Sequence, residues 1–315
     1  MTFSQAILKW RAQYGRSFVW MTGDPYDVWL SEVMLQQTQA STIAKRFPEF
    51  KMAFPDIHAL ASSSLEQVMA CWAGLGYYRR ASNLHAASKM LSAYVKNHGT
   101  WPRDIDFWMS LPGVGKSTAH AIVSACFSTK VSIMDANAQR VILRYLGVPQ
   151  ATDKEKWAYA EKLVLDVKAG EAKHYNQALM DLGSGLCQIK NPSCSSCPLK
   201  SSCSYVKKPF SFEKKAKKKT EETWNFYLVQ QDDGVYLTLR DGSLWSNLWC
   251  LPAGSPRGTP VYSTQHLLTH KKLEIVVYKG DVSDCSGGQF FALADIRAKK
   301  VGLPKPIYDF LSTLE

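Results

Sequence analysis

Four cysteines crowd one short stretch of the chain, CQIKNPSCSSCPLKSSC, at Cys187, Cys194, Cys197 and Cys203. With six, two and five residues between them, they could form a compact cage of thiolates, the donor type that holds structural zinc or an iron–sulfur cluster. Most structural zinc sites instead use two close pairs separated by a longer loop. Spacing alone leaves zinc and iron–sulfur open, with free thiols a poor third.

Two carboxylates have settings that could do acid–base work. In DPYDVWLSEVMLQQTQ, Asp24 and Pro25 suit the cap and first turn of a helix, and Glu32 falls at helical offsets from Val28, Trp29 and Leu35. A carboxylate pressed against apolar neighbours has a raised pKa and can serve as a general acid near neutral pH. The plainer alternative is a Glu at the edge of an amphipathic helix. Asp135 precedes the helical segment ANAQRVILRYL and suits an N-cap.

A third signal is WMSLPGVGKSTAHAIVSACF. Its GKST ending imitates a phosphate-binding loop, but Ser110 stands where that motif needs glycine, and no apolar strand precedes it. Helix, tight LPGVG turn, helix fits better. Gly113 and Gly115 permit close approach, and the second helix presents free backbone N–H groups that can hold a DNA phosphate without reading sequence. A glycine-rich turn between packed helices is the alternative.

The elements that must position these residues divide the chain in two. Up to about Cys203, apolar residues recur at helical spacing, as in SLEQVMACWAGLGYYRRASNLHAASKMLSAYV, with Pro and Gly at the breaks. KKPFSFEKKAKKKTEE then loses that period and reads as a Lys-rich linker over residues 207–222. Beyond it, WNFYLVQQ, GVYLTLR, LEIVVYKG and GQFFALADI are short β-type runs separated by turns, with a closing helix near Pro304 to Leu314. The expected domains are therefore a helical one over 1–206, including the cysteine loop 187–203, and a small sheet domain over 223–315.

The 315 residues are 46% hydrophobic and contain no apolar run long enough to span a membrane. No secretory signal opens the sequence, so a reducing, cytoplasmic setting is expected, nucleoid-associated in a bacterium. The other cysteines, Cys71, Cys126, Cys250 and Cys285, then read as buried core thiols. A formal charge of +11 suits a polyanionic partner, although it is weak guidance alone.

In order along the chain, LPGVGKSTAHAI, IMDANAQRV and the cysteine knot resemble the helix–hairpin–helix DNA glycosylases that carry a four-iron four-sulfur cluster. DPYDVWLSEVMLQQTQ, GLGYYRRASNL and YNQALMDLG resemble, more narrowly, the adenine DNA glycosylase (MutY) family. The likeness covers nearly the whole chain. It implies that Cys187, Cys194, Cys197 and Cys203 bind one four-iron four-sulfur cluster, which shapes a loop for DNA. It implies that Glu32 protonates the departing adenine and that Asp135, supported by Asn137, stabilises or attacks the oxocarbenium-like sugar.

Related bifunctional enzymes have a lysine nucleophile where this chain has Ser117, and Lys116 would face about 100° away on a helix. A monofunctional glycosylase follows. Because the base must leave the duplex, the resemblance also assigns Gln36 and Tyr77 as wedges in the helix, with Arg16 and Gln177 lining the adenine pocket. Surface or packing roles are the bland alternatives for Tyr77 and Gln177.

The C-terminal part resembles the Nudix-like module that reads 8-oxoguanine opposite the adenine. SLWSNLWCLP carries that likeness, and no acidic REXXEE-type helix is present, so reading without pyrophosphate hydrolysis is implied. Two departures stand out: Leu268-Thr269-His270 replaces the family's Phe-Ser-His turn, and FVW replaces LPW near Trp20.

The expectation is thus a mainly α helix–hairpin–helix glycosylase domain with an iron–sulfur loop, joined to an α+β Nudix-like domain. It acts as a monomer on double-stranded DNA and excises adenine opposite 8-oxoguanine. A glycosylase for thymine or oxidised pyrimidines is the runner-up, opposed by the separate sheet domain. A catalytically silent DNA-binding relative is opposed by the joint presence of Glu32 and Asp135.

Overall fold

Capping chemistry punctuates the helices of the computed structural model, which describes residues 1–212, 219–242 and 244–314. Among the described residues, twelve α-helices precede the first strand: α1 (Phe3–Tyr14), α2 (Pro25–Leu35), α3 (Ala40–Ala53), α4 (Ile57–Ser62), α5 (Leu65–Trp72), α6 (Arg79–His98), α7 (Ile105–Ser110), α8 (Lys116–Phe127), α9 (Ala136–Leu146), α10 (Asp153–Val164), α11 (Ala172–Ser184) and α12 (Ser204–Lys207). Reciprocal capping boxes open α1, α5 and α10, through Thr2 with Gln5, Ser64 with Gln67, and Thr152 with Glu155. Asp24 accepts from the backbone of Tyr26 and Asp27, with Pro25 in the first turn of α2, as the sequence suggests.

By packing, the chain forms two compact units. One holds residues 1–47 and the described residues from Met90 to Phe212; the other holds residues 48–89 and the described residues from Lys219 onward. Residues 48–89, helical as expected, make specific contacts within the second unit. The Tyr78 hydroxyl donates to the Leu303 carbonyl at 3.3 Å, and Trp249 Nε1 donates to Glu66 at 2.8 Å. Gly302 lies so near Met69 that an added Cβ would meet its side chain at 3.1 Å. Of the expected Lys-rich linker 207–222, residues 213–218 lie outside the described residues, and Thr220 already begins a strand.

In the first unit, the core joins Ile7 of α1, Ile142 of α9, and Tyr175, Leu179 and Leu182 of α11 to Leu199 and Cys203 of the cysteine loop. That loop is therefore part of the core's wall.

The described residues of the second unit form two sheets. In one, β1 (Thr220–Leu228) pairs in parallel with β6 (Lys271–Lys279), which pairs antiparallel with β5 (Pro260–Leu267). In the other, β3 (Gly234–Leu239) pairs antiparallel with β2 (Gln230–Gln231), β4 (Trp249–Cys250) and β7 (Gly288–Ala292). Helices α13 (Leu293–Arg297) and α14 (Lys305–Leu311) follow, so the C-terminal region is α+β. The run GQFFALADI is strand only as far as Ala292, where α13 takes over, and β5 occupies a segment not marked in the sequence. Cys250 is buried as expected, whereas Cys71, Cys126 and Cys285 are only half-buried. Among the described residues no helix is long and apolar enough to cross a membrane.

Candidate active site

Glu32 on α2 and Asp135 before α9 both belong to the first unit. Glu32 keeps part of its residue surface accessible, but its carboxyl group is enclosed, and that burial lifts its pKa from 4.5 to about 7; the charge of Asp135 pushes the same way. A carboxylic acid is thereby held half-protonated at neutral pH. Asp135 is the N-cap of α9: Ala138 N donates to Oδ1 at 2.7 Å and Asn137 Nδ2 donates to Oδ2 at 3.1 Å. Both oxygens are thereby held in place by donors. Cys126, near the Asp24 and Glu32 carboxylates, has its thiol pushed up to about 12, chiefly by burial, so it supplies no thiolate there.

The hairpin runs from α7 through residues 111–115 into α8. Gly113 turns at φ +80°, in the left-handed region, and Gly115 caps α8 without any side-chain hydrogen bond. The first-turn N–H groups of α8 therefore have no side-chain cap. Gln36 ties α2 to this turn by donating to the Gly113 carbonyl at 3.1 Å. Ser117 accepts from Met134 N at 3.1 Å and so braces the segment leading to Asp135. Lys116 is engaged elsewhere, 3.2 Å from Glu161 and 4.3 Å from the Trp157 ring centre.

Arg16 and Gln177 meet on a residue the sequence reading did not single out. Asp181 on α11 accepts from Arg16 N at 3.1 Å, Arg16 Nε at 2.9 Å and Gln177 Nε2 at 3.0 Å, while Arg16 Nη2 reaches Ser184 at 2.8 Å. Its signal was available in YNQALMDLG: an acid four residues after Gln177 shares its helix face. Buried Asn176, also passed over, pins the segment before Asp135 by accepting from Ile133 N at 3.1 Å and donating to Val131 O at 2.9 Å.

The four cysteines line one pocket with Arg144, Leu182 and Tyr205. Burial, with a smaller push from the neighbouring cysteines, raises the Cys197 thiol to about 11. Arg144 places a guanidinium 3.3 Å from Cys187 Sγ, a suitable counter-charge for thiolates. As placed, no three His, Cys, Asp or Glu side chains among the described residues converge into a ready metal-binding group. Arg140 links this loop to the acid site: it donates to Cys187 O at 2.6 Å and to Asn137 Oδ1 at 2.8 Å. At the same crossing, a Cβ on Gly183 would lie 2.6 Å from Asn137 Cβ, so only glycine lets α11 and α9 pack this closely.

In the second unit, Tyr77 is 48% exposed and adopts φ +48°, an uncommon backbone for a bulky residue. Its hydroxyl lies 2.8 Å from Thr269 Oγ1. Thr269 and His270 are exposed on the turn between β5 and β6, where Leu268 N donates to Lys271 O at 2.8 Å. Tyr77 and Thr269 are thus brought together, and His270 stands beside them in sequence.

Residues 30–164 match the HhH-GPD superfamily of base excision DNA repair proteins. Among solved structures, a thermostable thymine-DNA glycosylase is 29% identical, with a TM-score of 0.59 covering 65% of this chain and 95% of that one. Fold and sequence define a helix–hairpin–helix base excision glycosylase. An adenine DNA glycosylase from Buchnera aphidicola is 36% identical over 263 residues, covering 80% of this chain and 74% of the relative. The human adenine DNA glycosylase is 35% identical over 216 residues, or 64% of this chain and 39% of the relative. The chain belongs to the adenine DNA glycosylase family.

Proposed function

We propose that this enzyme excises adenine opposite 8-oxoguanine or guanine in double-stranded DNA and leaves the sugar–phosphate backbone uncut. The observation that carries this reading is the pairing of Glu32, held near pKa 7 by burial, with an Asp135 carboxylate fixed by two donors. Neutral Glu32 donates its proton to the extruded adenine, and the electron pair of the glycosidic bond departs with the base. Asp135 faces the positive charge that develops on the sugar. Water then adds to the anomeric carbon, and its proton passes to a carboxylate, which leaves an abasic site. Ser117 offers no amine for an imine, and Lys116 is held by Glu161 and Trp157.

Gln36 and Tyr77 brace the vacated stack, Arg16 and Gln177 line the base pocket, and the turn at Gly113 and Gly115 holds a backbone phosphate. Cys187, Cys194, Cys197 and Cys203 fit a four-iron four-sulfur cluster: four thiol donors share one pocket beside the Arg144 cation. When bound, the cluster ties the loop after α11 into a fixed shape. The C-terminal region, Nudix-like by sequence resemblance, reads the opposite base through Thr269 and His270. The contact between Tyr77 and Thr269 supports a shared task for wedge and reader. A monomer in the cytoplasm or on the nucleoid is the proposed working form.

The test is a gel assay on duplexes with adenine opposite 8-oxoguanine, guanine or thymine, with and without alkali. Excision opposite 8-oxoguanine, with strand breaks only after alkali, is the expected result. Equal excision opposite thymine, or breaks without alkali, overturns the proposal.

A further inference from the structure

Asp181 has nearly no contact with solvent, its side chain being 1% exposed, yet three donors converge on it. Arg16 takes both of its oxygens, through its backbone N–H and its Nε. Arg11 Nε also stands 4.0 Å from Asp181 Oδ2. A carboxylate in that ion pair can only accept hydrogen bonds, so Gln177 must turn its amide nitrogen inward. Flipping the amide would set Gln177 Oε1 against Asp181 Oδ1, acceptor against acceptor, and would forfeit a hydrogen bond to a charged group. The remaining face of Gln177 is its oxygen, which receives no hydrogen bond among the described residues.

We propose that Asp181 is a specificity-setting positioning residue: by taking Gln177 Nε2 it leaves only an acceptor toward the bound base, which selects a 6-amino purine over a 6-oxo purine. Adenine offers an N–H donor at that position. Hypoxanthine and guanine offer a carbonyl, which would meet Oε1 lone pair to lone pair. The inference rests on the reading that Gln177 lines the base pocket.

Single-turnover excision by the full chain, on otherwise identical duplexes carrying adenine, hypoxanthine or unsubstituted purine, tests it. Asp181→Asn can donate as well as accept, so Gln177 becomes free to flip, and the preference for adenine over hypoxanthine should fall about tenfold. Excision of purine, which lacks a 6-substituent, sets the loss that orientation cannot cause. Equal loss on all three bases shows a merely structural carboxylate and overturns the proposal. Gln177→Ala should itself erase the preference, and Asp181→Asn should add nothing to the ratio in that background. If Gln177→Ala leaves the ratio unchanged, the pocket assignment of Gln177 is what fails.

Should Asp181→Asn not fold, side-chain amide NMR on the unmodified protein decides. The Gln177 NH₂ signal, identified by its loss in Gln177→Ala, should be shifted and protected from solvent exchange. A signal like that of a free glutamine overturns the proposal.

Discussion

Glu32→Gln should separate the stability of this protein from its chemistry, because the proposed acid is held in a setting hostile to its charge. Burial displaces the Glu32 pKa from 4.5 to about 7, which corresponds to about 3 kcal/mol between the two protonation states. The folded state binds the proton more tightly than the unfolded chain does. The stability that Glu32 contributes is therefore fully present below about pH 4.5, declines as pH rises, and is lost once pH passes about 7. Glutamine has nearly the same shape and no charge, so it escapes that decline. Denaturant unfolding of both proteins from pH 5 to 8 should show wild type losing about 2–3 kcal/mol relative to Glu32→Gln. Over the same range wild-type excision should fall with a midpoint near 7, while the variant binds its duplex but is slower by about 10²- to 10⁴-fold or more. Parallel stability curves, or near-normal excision by the variant, would refute the assignment of Glu32 as a buried acid.

Ser117→Lys puts an amine next to the segment that Ser117 now braces, and borohydride should then trap an imine with DNA that the unmodified protein does not form; robust trapping in wild type contradicts the monofunctional reading. Thr269→Ala combined with His270→Ala should weaken the preference for adenine opposite 8-oxoguanine over adenine opposite guanine by about 1–3 kcal/mol per lost base contact. Equal losses on both duplexes would point to general misfolding instead. Anaerobically purified protein should be brown with about four irons per chain, and Cys194→Ser should fold poorly; stoichiometric zinc without iron, by metal analysis, reverses the choice of metal.

Features written in local chemistry were legible in the sequence. Asp24 with Pro25, and Asp135 ahead of ANAQRV, carry cap signals within a few residues, and the structure places both as N-caps. What depends on distant partners was not. Asp181 is defined by Arg16, 165 residues away, and Asn176 by Ile133, 43 residues away. Neither relation leaves a periodic trace. The parallel pairing of Thr220–Leu228 with Lys271–Lys279 is likewise invisible to any window of the chain. Leu293 lies within the β-type run GQFFALADI, yet it begins a helix, because strand propensity does not fix where a ladder stops.

The interleaved partition of the chain has a consequence for its synthesis. Translation delivers residues in order, but residues 48–89 find partners such as Trp249 and Leu303 only after the whole helical segment has been made. Domains usually fold as units while they emerge from the ribosome. Here the contacts of Tyr78 with Leu303 and of Glu66 with Trp249 must wait until Leu303 has cleared the exit tunnel. For this protein, a stalled or truncated nascent chain should therefore be looser over residues 48–89 than the finished molecule, because those late partners are missing.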